Sequence, residues 1–370
     1  MASVGPLEAK LGSRAKVLLP IALLTFLGLS AWRMWPRGPE TVRFDGPTMG
    51  TSFAVTVVAE SISDAEAEAL RALVADELAE INRLMSNYVA DSEISRFNAH
   101  EGLDPFPLSP PMVEVLAISD EIHALSGGAY DITIPPLLEA WGFGPRGDKG
   151  RATPSDADLE ALGDRVGQGL LKLDAKAGQV TKGHPKLEID LSAIAPGYAA
   201  DRIAAALEAR GYHRYMVDVG GEFRVHGRNQ RGEPWQIGIE RPAASRDDAP
   251  VLQEVVPLTE GALATSGDYR SYRETAEGKR VSHTIDPRTR RPIDHRLASV
   301  TVVAADAGRA DAIATALNVL GPDEGLALAV ENDLPVMMIV RAGDGFETRT
   351  TPPFDALRQA AGSATIEASP

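Results

Sequence analysis

Apolar and polar positions alternate along some stretches of this chain and recur at helical spacing along others. Residues 48–58 (TMGTSFAVTVV) alternate well enough to predict a first strand. Across residues 63–85, Ala67, Leu70, Leu73, Val74, Leu78, Ile81 and Leu84 fall on one face of a helix, with Ser63 as its N-cap. A short helix is expected within residues 86–98, and a longer one over 109–125, closed by Gly127-Gly128. The Pro135-Pro136 pair bars a regular helix or a central strand at that point. Residues 145–165 are polar and read as a surface loop leading into a short helix.

The second half repeats the mixture. Residues 170–180 and 186–191 read as strands around a turn, and LEIDL at 187–191 alternates as a half-buried strand does. Pro196 and Gly197 open a helix, because proline in a first turn gives up no useful N–H. Ala200, Ile203, Ala204 and Leu207 share one face of it, and Gly211 ends it. Strands are predicted at 215–219, 235–240, 251–258, 261–266, 280–285, 298–305 and 334–340, with a helix over 307–320. Gly220-Gly221 lets the backbone bend or approach a ligand closely. Strands outnumber helices, and hairpin-like returns mix with strand–helix–strand units. The expected fold class is α+β: one interlocked domain with mixed β-sheets and flanking helices over residues 48–345. A Pro/Gly-rich linker (36–47) precedes it, and a partly disordered tail (346–370) follows.

The first 35 residues differ in kind. Lys10, Arg14 and Lys16 precede an apolar run over 17–32, which Arg33, Trp35 and Arg37 follow. A basic region before an apolar one is an export signal. The run is short for a spanning helix, which needs about 20 residues. Ser30 and Ala31 are small enough for cleavage, while the trailing arginines and Trp35 suit an interfacial anchor. The expectation is a periplasmic protein, either cleaved or tethered to the inner membrane by this segment. The chain contains 0 cysteines, so a lipid-modified cysteine, a disulfide, a thiolate metal site and a cysteine nucleophile are all excluded. A net charge of −15 argues against nonspecific binding to nucleic acid or to an anionic membrane surface.

Three stretches carry candidate chemistry. His283 lies at a strand end near Asp286 and Asp294, where it reads as a general base or as a structural residue beside a turn. Asp311 and Thr315 stand four apart on a helix and share a face. With a backbone carbonyl they form an oxygen-only set suited to magnesium; a solvated first-turn aspartate is the other reading. Met49, Tyr88 and Tyr130 can sandwich a planar ring or fill a core. No G-x-S-x-G and no G-x-x-x-x-G-K-[ST] occurs, which removes the common serine-hydrolase and phosphate-loop readings.

Taken in order, MGTSFAVTV, MSNYVADSEISRFN, GAYDITIPPLLEAWGFG, DLSAIAPGYAAD, VDVGGEFRVHG, ATSGDYRSY, SHTIDPRTRRPIDH and ADAIATALNVLG resemble the ApbE-like family of FAD:protein FMN transferases. The resemblance implies a Mg²⁺-dependent enzyme that cleaves FAD, transfers FMN to a Ser/Thr hydroxyl of an acceptor protein and releases AMP. It implies that Met49, Tyr88, Ala129, Tyr130 and Asp131 line the FAD pocket and that Asp190 holds part of the cofactor. The Ala193 carbonyl, Asp311 and Thr315 are the implied metal ligands, with the Ala314 carbonyl as an additional donor. His283 and Ile285 are implied at the flavin-phosphate side, with His283 the base on the acceptor hydroxyl. The acceptor would be an exported subunit or regulator of a membrane electron-transfer system. Two positions depart from the family pattern. Pro196 stands where Lys or Glu is usual, which removes a side-chain contact to the cofactor, and Arg290 stands where a turn glycine is usual. The Pro196 departure keeps open an exported flavin-binding or assembly protein without transferase activity. An FAD pyrophosphatase giving FMN and AMP is the remaining alternative.

Overall fold

A computed structural model describes residues 38–146, 153–242, 251–267, 272–274, 280–343 and 345–366. The predicted signal or anchor segment and residues 268–271 of the ATSGDYRSY stretch lie outside the described residues. Eight strands form the main sheet: β1 (Glu40–Thr48), β2 (Thr51–Ala59), β6 (Tyr215–Val219), β7 (Glu222–His226), β10 (Glu260–Gly267), β15 (Leu297–Ala304), β16 (Val336–Ala342) and β17 (Gly345–Thr350). They lie side by side in chain order, and every strand pairing among the described residues is antiparallel, a narrower result than the mixed sheets the sequence suggested.

All other elements except the last helix are insertions between neighbouring strands of this sheet. Between β2 and β6 come α1 (Asp64–Met85), α2 (Glu93–Ala99), β3 (Phe106–Pro107), α3 (Pro110–Leu125), α4 (Pro135–Ala140), α5 (Asp156–Ala161), β4 (Leu171–Asp174), β5 (Gln179–Lys182) and α6 (Ala195–Glu208). A two-stranded ribbon, β8 (Trp235–Arg241) and β9 (Val251–Leu258), separates β7 from β10. The short strands β11 (Tyr272–Glu274), β12 (Arg280–Ser282), β13 (Ile285–Asp286) and β14 (Arg291–Pro292) separate β10 from β15. The helix α7 (Ala307–Glu331) joins β15 to β16, and α8 (Pro352–Ile366) ends the described chain.

The period-2 alternation of the strands sorts side chains onto two cores. Val55, Val57, Ala262, Ala264, Val300, Val302, Val336 and Met338 face the helices. Val58, Leu263, Val303, Met337 and Ile339 face the other way, against Trp235, Ile237 and Val256 of the ribbon and Phe354 of α8. The helical side is the larger core, and α7 lies at its centre, which explains why its apolar residues surround it rather than form a stripe.

Four expectations are corrected. Most of the linker is a strand: Glu40–Thr48 pairs with β2 from Glu40↔Ala59 to Thr48↔Thr51, and Phe44 is buried. Gly46-Pro47 reads as a loop in sequence, but proline is tolerated here because β1 is an edge strand. The strand predicted from residue 48 begins at Thr51, because Met49 (φ 48°) and Gly50 (φ 75°) form the two-residue hairpin turn. Pro135-Pro136 does not exclude a helix but starts α4, where the missing N–H groups are not needed. Most of the tail expected to be partly disordered forms β17 and α8, with Phe354 fully buried, and residues 367–370 lie outside the described residues.

Residues 187–191 are a subtler case. Leu187, Ile189 and Leu191 are fully buried, as the alternation predicts, yet the segment joins no sheet. Its backbone is satisfied by other partners: the Ile189 N–H donates to Asn98 Oδ1 at 2.8 Å and the Asp190 N–H to the Ile132 carbonyl at 2.8 Å. These bonds fix Asp190 at the edge of a cleft between the helices and the end of the sheet.

Candidate active site

The first wall of the site is the junction of α6 and α7. Gly197 sits where the two helices meet; a Cβ there would collide with the Ala307 carbonyl and come within 3.0 Å of Asp311 Cβ. Only glycine permits this approach. Asp201, one turn further along α6, accepts hydrogen bonds from the N–H groups of Ala307 (2.9 Å) and Gly308 (2.8 Å), so it ties α6 to the start of α7. As a result the Gly197 N–H points at Asp311 Oδ2, 3.3 Å away, instead of at the Ala193 carbonyl. That carbonyl has no backbone donor among the described residues. Asp311 is buried with this one weak donor, and burial pushes its carboxyl up to about 7. Thr315 follows one turn later on α7 and lines the same cleft.

The floor comes from residues 129–134 and 190–192. Asp131 Oδ1 accepts from the N–H and hydroxyl of Thr133 (2.7 and 2.6 Å), and Oδ2 accepts from the Gln168 N–H (2.9 Å). Its charge is therefore committed to holding this loop. Tyr130 is almost wholly buried, and its hydroxyl has no hydrogen-bond partner among the described residues. Burial pushes its phenol up, so it stays neutral. Asp190 accepts from Asn87 Nδ2 (2.9 Å), from the Ser192 N–H (2.7 Å) and from the Ser192 hydroxyl.

The far wall is the segment between β10 and β15. His283, Thr284, Ile285 and Pro287 line the cleft from this side. Asp286, which the sequence places beside His283, has its carboxylate taken by the Arg288 guanidinium at 3.0 Å through two nitrogens. Arg290 adopts φ 61°, the conformation that favours glycine. Its carbonyl accepts from Trp141 Nε1 at 2.9 Å and its guanidinium reaches the Leu159 carbonyl at 3.2 Å, contacts that hold the residue in this strained form.

The structure therefore gathers Ala129, Tyr130, Asp131, Asp190, Ala193, His283, Ile285, Asp311 and Thr315 around one cleft of about 370 Å³. Met49, Tyr88 and Pro196 line an adjoining pocket of about 130 Å³, with Tyr88 80% exposed at its rim. Asp190 and Ser192 line both spaces and stand between them. Ala314 is fully buried and is not among the lining residues. Sequence reasoning missed Glu222, which begins β7 and lines the cleft, together with Ser192 and Asn87. Glu222 is 9% exposed, and its carboxyl is pushed well above the usual range by burial, then by the charges of Asp311 and Asp218.

The charge balance of the cleft is informative. Its described lining holds four carboxylates, on Asp131, Asp190, Glu222 and Asp311, and no Lys or Arg. Two of them, Asp131 and Asp190, are satisfied by the donors named above; Asp311 and Glu222 are not. Buried oxygen ligands short of positive charge, next to an unbonded carbonyl and a hydroxyl, fit a hard divalent cation such as Mg²⁺.

Comparison with known proteins places this arrangement. The sequence matches the ApbE family over residues 49–338. It is 41% identical over 344 residues to a protein of Klebsiella pneumoniae named FAD:protein FMN transferase, covering 92% of this chain and 96% of that one. A protein of Vibrio cholerae with the same name is 40% identical over 315 residues, covering 85% of this chain and 92% of the other. In three dimensions the chain is similar to the crystal structure of the Pseudomonas stutzeri flavinyl transferase ApbE in its apo form, with a TM-score of 0.78, 39% identity and coverage of 87% and 98%. The match spans the α6–α7 junction, the carboxylate-lined cleft and the His283 segment together, and this chain belongs to the ApbE family.

Proposed function

We propose that this protein is an FAD:protein FMN transferase that moves FMN from FAD onto a Ser or Thr hydroxyl of an acceptor protein and releases AMP. The reading rests on one observation: oxygen donors from residues 193 and 311–315 and the His283 imidazole, far apart in sequence, line a single cleft that, among the described residues, has carboxylates but no Lys or Arg. An anionic dinucleotide would be repelled by such a cleft unless a cation were also present. Ala193, Asp311 and Thr315 would hold Mg²⁺, which when bound neutralises phosphate charge and makes phosphorus a better electrophile.

The chain's own residues supply the rest. His283 accepts the proton of the acceptor hydroxyl as its oxygen bonds to the phosphorus of the FMN half; the bridging P–O bond breaks and AMP departs. Asp190 and Ser192, standing between the two pockets, position the dinucleotide across them. Met49 and Tyr88 offer a thioether and a ring face to a planar ring system, and Pro196 provides apolar contact where the family usually has a charge. The N-terminal basic–apolar segment exports the protein to the periplasm and either is removed or remains as a tether. The acceptor is then an exported subunit or regulator of a membrane electron-transfer system.

The test is to incubate purified protein with FAD, Mg²⁺ and a candidate acceptor and to analyse the acceptor by mass spectrometry. Addition of FMN to a Ser or Thr peptide, with one AMP released per flavin, is the expected result. AMP release with an unmodified acceptor would indicate a pyrophosphatase, and FAD binding without AMP release a flavin carrier.

A further inference from the structure

Glu222 has no part in the chemistry above, yet it lines the same cleft and is nine-tenths buried. It follows directly on Gly220 (φ 76°) and Gly221 (φ 105°), whose left-handed turn folds its side chain back over the strand end. The position of the carboxylate follows from what surrounds Gly220: a Cβ there would lie 2.9 Å from Glu222 Oε2 and 3.8 Å from Pro196 Cβ. The carboxylate therefore sits near Pro196 in the first turn of α6, in the cleft that Asp311 also lines. Among the described residues, no donor reaches it apart from its own N–H, and no Lys or Arg lines the cleft.

We propose that Glu222 is a second carboxylate ligand of the divalent-cation site, reaching it from the sheet while Ala193, Asp311 and Thr315 reach it from the helices. The inference rests on the cation reading given above. Mg²⁺ is commonly held by one or two protein carboxylates, with water and substrate phosphate completing six oxygens. Asp311 is one such carboxylate, and Glu222 is the remaining buried carboxylate in the cleft without protein donors to balance it. Two buried like charges side by side are costly alone and are balanced by one shared dication. On this reading Gly220 and Gly221 bring a strand residue into a site otherwise built on helix ends.

The experiment measures Mn²⁺ binding, by the loss of the free-ion electron paramagnetic resonance signal, for wild type, Asp311→Asn, Glu222→Gln and Glu222→Asp, with and without FAD. Glu222→Gln keeps the shape and removes the charge; it is expected to bind Mn²⁺ about tenfold or more weakly, with a metal-free melting temperature no lower than wild type. Glu222→Asp keeps the charge on a shorter arm and should fall between the two. Wild-type affinity in both Glu222 variants, while Asp311→Asn binds weakly, would overturn the role of Glu222 and leave the cation reading intact. Absence of Mn²⁺ binding by the wild type under either condition would overturn both. Should Glu222→Gln fail to fold, Glu222→Asp decides, because unchanged affinity on the shortened arm is incompatible with direct ligation.

Discussion

The two walls of the cleft are built in opposite ways. The α6–α7 wall is backbone against backbone: Gly197 meets Ala307, Asp201 caps the start of α7, and Asp311 is placed to within the tolerance of a packed core. The His283 wall consists of two-residue strands and turns, held by its own Arg288–Asp286 pair and by Trp141, which reaches it from the end of α4. The first wall presents oxygen donors whose spacing must not change. On the proposed function, the second presents the base that would meet a hydroxyl of the acceptor protein. On the same reading, the closely packed wall is the one that would hold the cation, and the wall of turns is the one that would meet the acceptor protein.

The sharpest way to separate the walls is to remove one function from each. His283→Ala should lower the rate of FMN transfer by about 100- to 10,000-fold while FAD affinity and Mn²⁺ affinity stay near wild type. Stopped-assay kinetics beside equilibrium flavin binding would check this, and full activity in the variant would break the assignment of the base.

Gly197→Ala attacks the other wall through packing alone. The new methyl meets a backbone carbonyl that cannot rotate away, so a loss of about 1–3 kcal/mol of stability is expected, with weakened Mn²⁺ binding in the fraction that folds. Denaturant melts followed by circular dichroism measure it. An unchanged midpoint would mean that the two helices slide apart freely and that this wall is no more rigid than the other.

Proton linkage gives a third test. Burial raises Asp311 to about 7 and Asp201 to about 6, and raises Glu222 in the same direction. A raised carboxyl contributes stability that is complete below its unfolded pKa, roughly 4, and is lost as pH rises through the folded value. The metal-free protein should therefore lose stability as pH climbs from about 4 through about 7. Mg²⁺ binds the deprotonated ligands, so the increase in melting temperature that it produces should be small at pH 5 and grow towards pH 8. Thermal melts in chelator and in Mg²⁺ across that range measure the gap; a gap independent of pH would sever Asp311 from the cation.

The smallest effect is expected from Arg288→Ala. The pair with Asp286 is partly exposed and screened, so its loss should cost no more than about 1 kcal/mol of global stability. Its effect should instead appear in the Michaelis constant for the acceptor, through the position of the His283 segment, with Mn²⁺ affinity untouched.

Legibility in sequence followed the same division. The helix over Asp64–Met85 was readable because its apolar positions recur regularly and because Ser63 and Glu66 form a capping box. β1 was hidden by Gly46-Pro47, turn residues tolerated on an edge strand. Met49 was read as a strand residue because a non-glycine at positive φ leaves no mark in the apolar pattern. The ordered motifs of the family made Asp311 and Thr315 candidates, and their four-residue spacing put them on one helix face. Nothing in the side chain of Ala193 announces that its carbonyl is left unbonded, since that follows from where Gly197 points. Glu222 is not legible because a glutamate at a strand start ordinarily faces solvent; the two glycines before it suggest a bend or a close approach of the backbone to a ligand, but do not single out this side chain.

The order of strands in the main sheet has a bearing on synthesis. Strands that are neighbours in the sheet follow one another in chain order, so the sheet can extend strand by strand as the chain emerges, although a long insertion separates β2 from β6. The proposed cation donors lie further apart: Ala193 waits for α7, which is made only after six of the eight strands. A nascent chain halted before β15 would already display Met49, Tyr88, Asp190 and His283 but would lack Asp311 and Thr315. On the proposed function, such an unfinished protein could touch FAD but could not cleave its pyrophosphate.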